Sequence, residues 1–257
     1  MTDSLPPAAA SAGIEVRGLT KLYGDLTAVS NLSFTVGAGE VLGLVGPNGA
    51  GKTTTLRSLS GIIRPTSGTI HIAGHDLAAQ PVPAKSALAF IPDEPHLFEY
   101  LSVDEHLQFI ARLYGVADAA QRIPPLLAEL ELTEKRDALP TELSRGMRQK
   151  LAIACGLLHD PKALVLDEPL TGLDPGGMRR MKATIVARAR EGAAVVLSSH
   201  LLQLVEELCT RILIIYGGRT VAIGKIDDII ADRPQLAGLG LEDIFLALTG
   251  DGARAAQ

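Results

Sequence analysis

Apolar positions along the chain follow two rhythms. Short runs rich in Val, Ile and Leu recur at "IEVRGL" (14–19), "LSFTV" (32–36), "VLGLVG" (41–46), "TIHIAG" (69–74) and "ALAFIP" (87–92). They return at "ALVLD" (163–167), "AVVLSS" (194–199), "ILIIY" (212–216) and "TVAIG" (220–224). Each has the length and composition of a β-strand. Longer helical patterns separate them, and that alternation predicts an α/β fold with a mainly parallel sheet and an antiparallel β portion.

Between Asp93 and Pro161 the strand signal disappears. "SVDE" (102–105) is a capping box and predicts a helix running to Gly115. Pro124 and Pro125 are expected to interrupt the next helical pattern. In "TELSRGMRQKLAIACGLL" (141–158), Met147, Leu151, Ala154 and Leu158 share one helical face. The predicted organisation is an α/β core (14–92 and 162–235), an inserted helical subdomain (93–161), and a C-terminal helix and tail (236–257) containing "LEDIFLALTG". The start, "MTDSLPPAAASAG", has no basic n-region and reads as a disordered leader (1–13).

Composition narrows the function classes. With 257 residues, 47% of them hydrophobic, the chain can bury a sizeable core. A net charge of −5 disfavours phosphodiester backbones, so no nucleic-acid partner is expected. The longest apolar runs fall below the roughly 18 residues of a membrane span, so any membrane role comes through a partner. Cys155 and Cys209 sit in apolar helical patterns and predict buried thiols rather than a disulfide. His71 and His75, four apart, have metal-like spacing but fall on a strand and turn; they read as solvent-facing.

Three stretches carry candidate chemistry. "GPNGAGKT" (46–53) follows one predicted strand and opens a helix, the context a phosphate-binding loop requires. Gly46, Gly49 and Gly51 let the backbone close around phosphate oxygens, and the helix N-terminus adds partial positive charge. Lys52 is expected to reach the β- and γ-phosphates, Thr53 to ligate Mg²⁺ and Thr54 to hold the α-phosphate. "ALVLDEP" ends a strand in Asp167 and Glu168. Alone these are capping acids as readily as catalysts; beside a phosphate loop Asp167 becomes the Mg²⁺-side carboxylate and Glu168 the group that polarises water. "SSH" (198–200) ends the following strand and brings His200 to the same sheet edge.

In this order the motifs resemble the ATP-binding subunit of ATP-binding-cassette (ABC) transporters over nearly the whole chain. By that resemblance "GPNGAGKTT", with Asn48, is Walker A, "LVLDE" Walker B, "LSRGM" (143–147) the signature, "GLD" (172–174) the D-loop and "SSH" the switch histidine. "LTKLYG" (19–24) implies that Tyr23 stacks on adenine with Val29 nearby. The resemblance also implies two subunits head to tail, each ATP lying between one Walker A loop and the partner's Ser144 and Gly146. Asp174 of the D-loop would touch the opposite site. Read without the family, Ser144 is a simple N-cap, Tyr23 edge-of-core packing and Asp174 an N-cap before Pro175.

Three positions depart from the family pattern. Asp93 stands where a glutamine usually touches Mg²⁺ and the attacking water; it is expected to join the metal side and, through its charge, to raise the Mg²⁺ requirement. Arg145 and Met147 stand where glycine and glutamine are common, and Arg145 is expected to add a cation near the partner's nucleotide.

The reading is an ATPase subunit that powers a separate transmembrane permease from the inner face of the cell membrane. The C-terminal "LEDIFLALTG" and "GGRTVAIG" resemble export subunits for drugs, polysaccharides or lipids more than importers, which often carry a longer regulatory domain. His96, Leu97, Phe98 and Tyr100 form the expected docking patch. The alternatives are a soluble cassette ATPase clamping ribosomes or DNA, which usually fuses two cassettes, and a small-molecule kinase, which has no use for "LSRG" plus "GLD".

Overall fold

The computed structural model describes residues 13–250; the expected leader, apart from Gly13, and the end of the tail lie outside the described residues. Among the described residues ten strands form two sheets. β1 (Ile14–Tyr23), β2 (Leu26–Val36), β4 (Ser67–Ile72) and β5 (His75–Asp76) make an antiparallel sheet ordered β2-β1-β4-β5. The second contains β3 (Val41–Val45), β6 (Leu88–Ile91), β7 (Ala163–Asp167), β8 (Ala194–Ser198), β9 (Arg211–Tyr216) and β10 (Arg219–Gly224). Its order is β10-β9-β3-β8-β7-β6, parallel except for the β9–β10 hairpin.

Helices in chain order are α1 (Lys52–Leu59), α2 (Pro81–Ser86), α3 (Val103–Tyr114), α4 (Ala119–Glu129) and α5 (Arg145–Leu157). They continue with α6 (Pro175–Arg190), α7 (Leu202–Leu208), α8 (Ile226–Ala231) and α9 (Leu241–Thr249). Among the described residues, the stretch between β6 and β7 contains helices and 3₁₀ turns but no strand.

Strands β3, β7 and β8 are buried at every position, because both faces of the parallel sheet are covered. Alternate residues divide between two cores. Leu164, Leu166, Val195 and Leu197 pack with α3–α7 on one face. Val165, Val196, Leu42 and Leu44 pack with α1 and the antiparallel sheet on the other. On β3 a Cβ at Gly43 would come 2.6 Å from Val205 Cγ1 and 2.8 Å from Cys209 Sγ, so α7 lies directly against the strand.

The capping box holds: Ser102 Oγ accepts from Glu105 N–H, Glu105 Oε2 accepts from Ser102 N–H, and Gly115 ends α3 in the left-handed region. The prolines do not interrupt their helix. α4 runs through Pro124 and Pro125, contrary to the expectation. Both rings lie on the exposed side while Ile123, Leu126 and Leu127 are buried, so water can serve the carbonyls that lose a donor. No helix among the described residues is long and apolar enough to cross a membrane.

Candidate nucleotide site

Register brings the chemistry to one edge. Leu44 of β3 and Asp167 of β7 both pair with Ser198 of β8, and Ile91 of β6 pairs with Leu166 of β7. The loops leaving β3, β6, β7 and β8 therefore emerge side by side at the carboxyl ends of the strands, where open α/β sheets bind ligands. They enclose a cavity of about 830 Å³ lined by Tyr23, Asn48, Gly49, Gly51, Lys52, Thr53, Thr54, Asp93, Asp167, Glu168 and His200.

The loop after β3 is built for a close backbone approach. A Cβ on Gly46 would sit 2.5 Å from Ile215 O, and one on Gly51 2.6 Å from Ala28 O. Gly51 also has φ +104°, which only glycine adopts without strain. Lys52 Nζ donates to Gly46 O at 2.5 Å and Pro47 O at 3.1 Å. Burial pushes its pKa below the usual ammonium value, against the opposing attraction of Glu168 and Asp167.

At the end of β7, Asp167 is 8% exposed and accepts from Ser198 Oγ at 2.6 Å. Glu168 adopts φ +49°, a region that costs a residue bearing a Cβ roughly 1–2 kcal/mol. Its N–H donates to Ser198 O at 3.2 Å. Its Oε2 meets His200 Nδ1 at 2.8 Å and accepts from Ser199 Oγ at 3.4 Å. Burial raises the Glu168 pKa, and His200 works in the opposite direction. A carboxylate made more basic and held by an imidazole can orient and polarise a water molecule.

The residues fit a magnesium–nucleotide pair. Thr53, Asp167 and Asp93 supply hard oxygen donors. Among the described residues no group of three or more His, Cys, Asp or Glu could hold a metal ion by itself. Mg²⁺ takes much of its coordination from phosphate and water. His71 and His75 form no such group either; His71 Nε2 lies 3.8 Å from Asp76 Oδ2 in the β4–β5 hairpin.

The other expected residues divide. Tyr23 is 45% exposed at the pocket wall, with Lys21 Nζ 4.9 Å from its ring centroid. Val29 is not in the wall: it is 1% exposed, with its Cγ2 3.2 Å from where a Gly51 Cβ would lie, and Ala28 lines the cavity instead. One-residue alternation on β2 turned it inward. Ser144, Gly146 and Asp174 are also outside this cavity. Ser144 is the exposed N-cap of α5, accepting from Met147 N–H at 3.2 Å. Asp174 is the N-cap of α6, accepting from Gly177 N–H at 3.0 Å. Gly146 passes so close to the D-loop that a Cβ would lie 2.8 Å from Gly172 O.

Arg145 makes a contact within its own chain that the sequence did not announce. Its guanidinium turns back to Asp93 of its own chain, with Nη2 3.4 Å from Oδ1. Three further participants were not singled out from sequence: Ser198 and Ser199, whose hydroxyls hold the two carboxylates, and Gln149, buried in α5 and donating to Pro92 O at 3.3 Å. The serines were visible in "SSH", as short polar residues ending a buried strand; Gln149 left no signal.

A phosphate loop, a carboxylate pair and a histidine at one edge of a doubly covered parallel sheet define a P-loop ATPase. Comparisons with known proteins narrow the class. The family described as "ABC transporter" matches residues 29–171. "Nod factor export ATP-binding protein I" of Cupriavidus metallidurans is 37% identical over 93% of this chain and 81% of its own length. "ABC-type transporter ATP-binding protein EcsA" of Bacillus subtilis is 33% identical over 93% of this chain and 98% of its own. A solved structure described as the ATP-binding subunit of an ABC transporter superposes with a TM-score of 0.88 at 36% identity, covering 92% of this chain and 99% of that one. The chain belongs to the ABC transporter family, as an ATP-binding domain of the ATPases that power transport.

Proposed function

We propose that this chain works as half of an ATP-dependent pair, hydrolysing ATP between two head-to-tail subunits to drive export through a separate transmembrane permease. The observation that carries the reading is the division of the motifs. Lys52, Asp167, Glu168 and His200 line one cavity, whereas Ser144, with its helix N-terminus, lies exposed outside it. A phosphate-receiving tip that does not reach its own chain's pocket is suited to a second copy's pocket, or that of a related subunit.

In the joined state Lys52, Asn48, Gly49, Gly51 and Thr54 hold the phosphates and Tyr23 stacks on adenine. Thr53, Asp167 and Asp93, which line the same cavity, would hold Mg²⁺, and that cation would supply neutralisation of charge on the transferring phosphoryl group. Glu168 orients water for in-line attack, and His200 holds Glu168 at its 2.8 Å contact. Ser144, Gly146 and Asp174 complete the opposite site.

The export direction rests on the names of relatives such as the Nod factor export protein. Permease docking is supported by a groove of about 700 Å³ between the core and the α3–α5 region, bordered by His96, Leu97, Phe98 and Phe109. Phe98 at that border exposes 55% of its surface, and Tyr100, outside the groove, exposes 88%. Such a partner would hold the chain at the inner face of the membrane. The net charge of −5 favours it over the nucleic acid a clamp ATPase would grip.

The test is Glu168→Gln. Removing a general base typically costs roughly 10²–10⁴ in rate, so phosphate release falls by that factor while an ATP-bound dimer accumulates in light scattering. A variant that stays monomeric at saturating MgATP rejects the shared-site mechanism.

A further inference from the structure

Two of the residues that depart from the family pattern, Asp93 and Arg145, meet each other. Asp93 follows β6 and lines the nucleotide cavity; Arg145 is the first residue of α5. The guanidinium approaches the carboxylate at 3.4 Å, with the side chains 52% and 42% exposed. The stem of Arg145 lies across the D-loop, where a Cβ on Gly172 would come 3.1 Å from Arg145 Cδ. One turn along the same helix face, buried Gln149 donates to Pro92 O at 3.3 Å. The start of α5 is thus tied to the segment after β6 at two consecutive residues, one tie neutral and buried, the other charged and at the cavity edge.

We propose that Arg145 is a positioning residue for Asp93: it acts as a counter-ion within the same subunit, masking the carboxylate that replaces the usual glutamine and holding it at the metal end of the cavity. The proposal rests on reading the cavity as the MgATP site. Without a counter-ion, Asp93 would add negative charge beside Asp167, Glu168 and the triphosphate. A pair this long and exposed contributes little to global stability. Its effect is on the charge that an incoming nucleotide meets, which is greatest for ATP without Mg²⁺ and smaller once the cation is present.

The experiment is a double-mutant cycle on the full chain with Asp93→Gln, Arg145→Ala and both together, read in two ways. The first is amide hydrogen exchange without nucleotide at Asp93, Glu94, His96, Leu97 and Phe98, the last of which donates to His106 Nε2 at 3.0 Å. Each single variant speeds exchange by roughly two- to five-fold, the scale of an exposed ion pair, and the double variant goes no further. The second is calorimetric titration with ATP, in EDTA and in Mg²⁺. Arg145→Ala weakens Mg²⁺-free binding by a similar factor, and MgATP binding less; in the Asp93→Gln background that selectivity is gone, and Arg145→Lys restores wild-type behaviour. Additive effects in both readouts overturn the proposal, since Arg145 would then be packing against Gly172 and nothing more. Arg145→Gln, which keeps the packing, replaces the alanine variant if that one folds poorly. Lys52→Ala keeps the two ideas separate: unchanged ATP affinity there rejects the cavity reading, whereas lost affinity with an additive cycle rejects the ion pair alone.

Discussion

His159 illustrates how a single side chain can tie stability to acidity. Its ring stacks on Tyr114 with centroids 3.8 Å apart, and its Nε2 lies 3.3 Å from Leu88 O. Nδ1 is buried with no hydrogen-bond partner, so a second ring proton would have no acceptor. Burial depresses the pKa; the Leu88 carbonyl opposes this, Arg122 reinforces it and Asp160 opposes it. The unfolded chain therefore takes up a proton near the ordinary histidine value while the folded chain does not. Stability is retained above that value and lost as pH falls through it. The melting temperature is expected to drop between pH 7.5 and pH 5.5, and His159→Phe, which keeps the stack but cannot ionise, is expected to flatten the drop. An unchanged slope in thermal melts would falsify this account. At this scale, legibility followed chemistry. Lys52, Asp167, Glu168 and His200 could be read because few structural roles demand those groups at strand ends. Val29, expected beside the adenine, is buried instead, because a one-residue alternation on β2 gives the wall to Ala28. The Asp93–Arg145 contact spans 52 positions in sequence and has no local signature.

Among the elements, α4 carries an evident conflict between local preference and packing. An interior proline costs roughly 3 kcal/mol relative to alanine, offset by about 0.4–1 kcal/mol from its stiffening of the unfolded chain. Pro125→Ala is accordingly expected to stabilise the protein by about 2–2.6 kcal/mol, read as a higher urea midpoint at unchanged slope. A lower midpoint would mean that the proline serves the native packing. Strands were legible to within a residue or two where burial is continuous: "ALVLD" is β7 to the residue. β1 and β2 extend several residues past their apolar runs, to Tyr23 and from Leu26, because their outer ends pair with each other across a short turn rather than with the core. Pattern detects burial, and these ends are exposed. The helix through Pro124 was missed for the opposite reason, since Ile123, Leu126 and Leu127 override the local breaker.

For the whole molecule, the α5 tip is the part whose proposed role reaches beyond one chain. Ser144 caps its helix here, so replacing it with alanine would confound a lost cap with a lost phosphate contact. Ser144→Asp separates them, because aspartate is an equally good N-cap yet sets a negative charge against a triphosphate. Folding and single-subunit ATP binding are expected to be preserved, while the dimer trapped by Glu168→Gln disappears from size-exclusion profiles. Persistence of that dimer would remove Ser144 from the interface.

The absent side chain at Gly43 bears on this cycle from behind. His200 leads into α7, whose Val205, with Cys209 just past the helix end, nests in the dent that glycine leaves on β3, and β3 itself runs into the phosphate loop. A single strand thereby sets the datum for both the histidine and the lysine. A methyl group at Gly43, or an adduct on the Cys209 sulfur, would wedge that helix outward and detune the water-handling edge while leaving every triphosphate-facing atom chemically untouched.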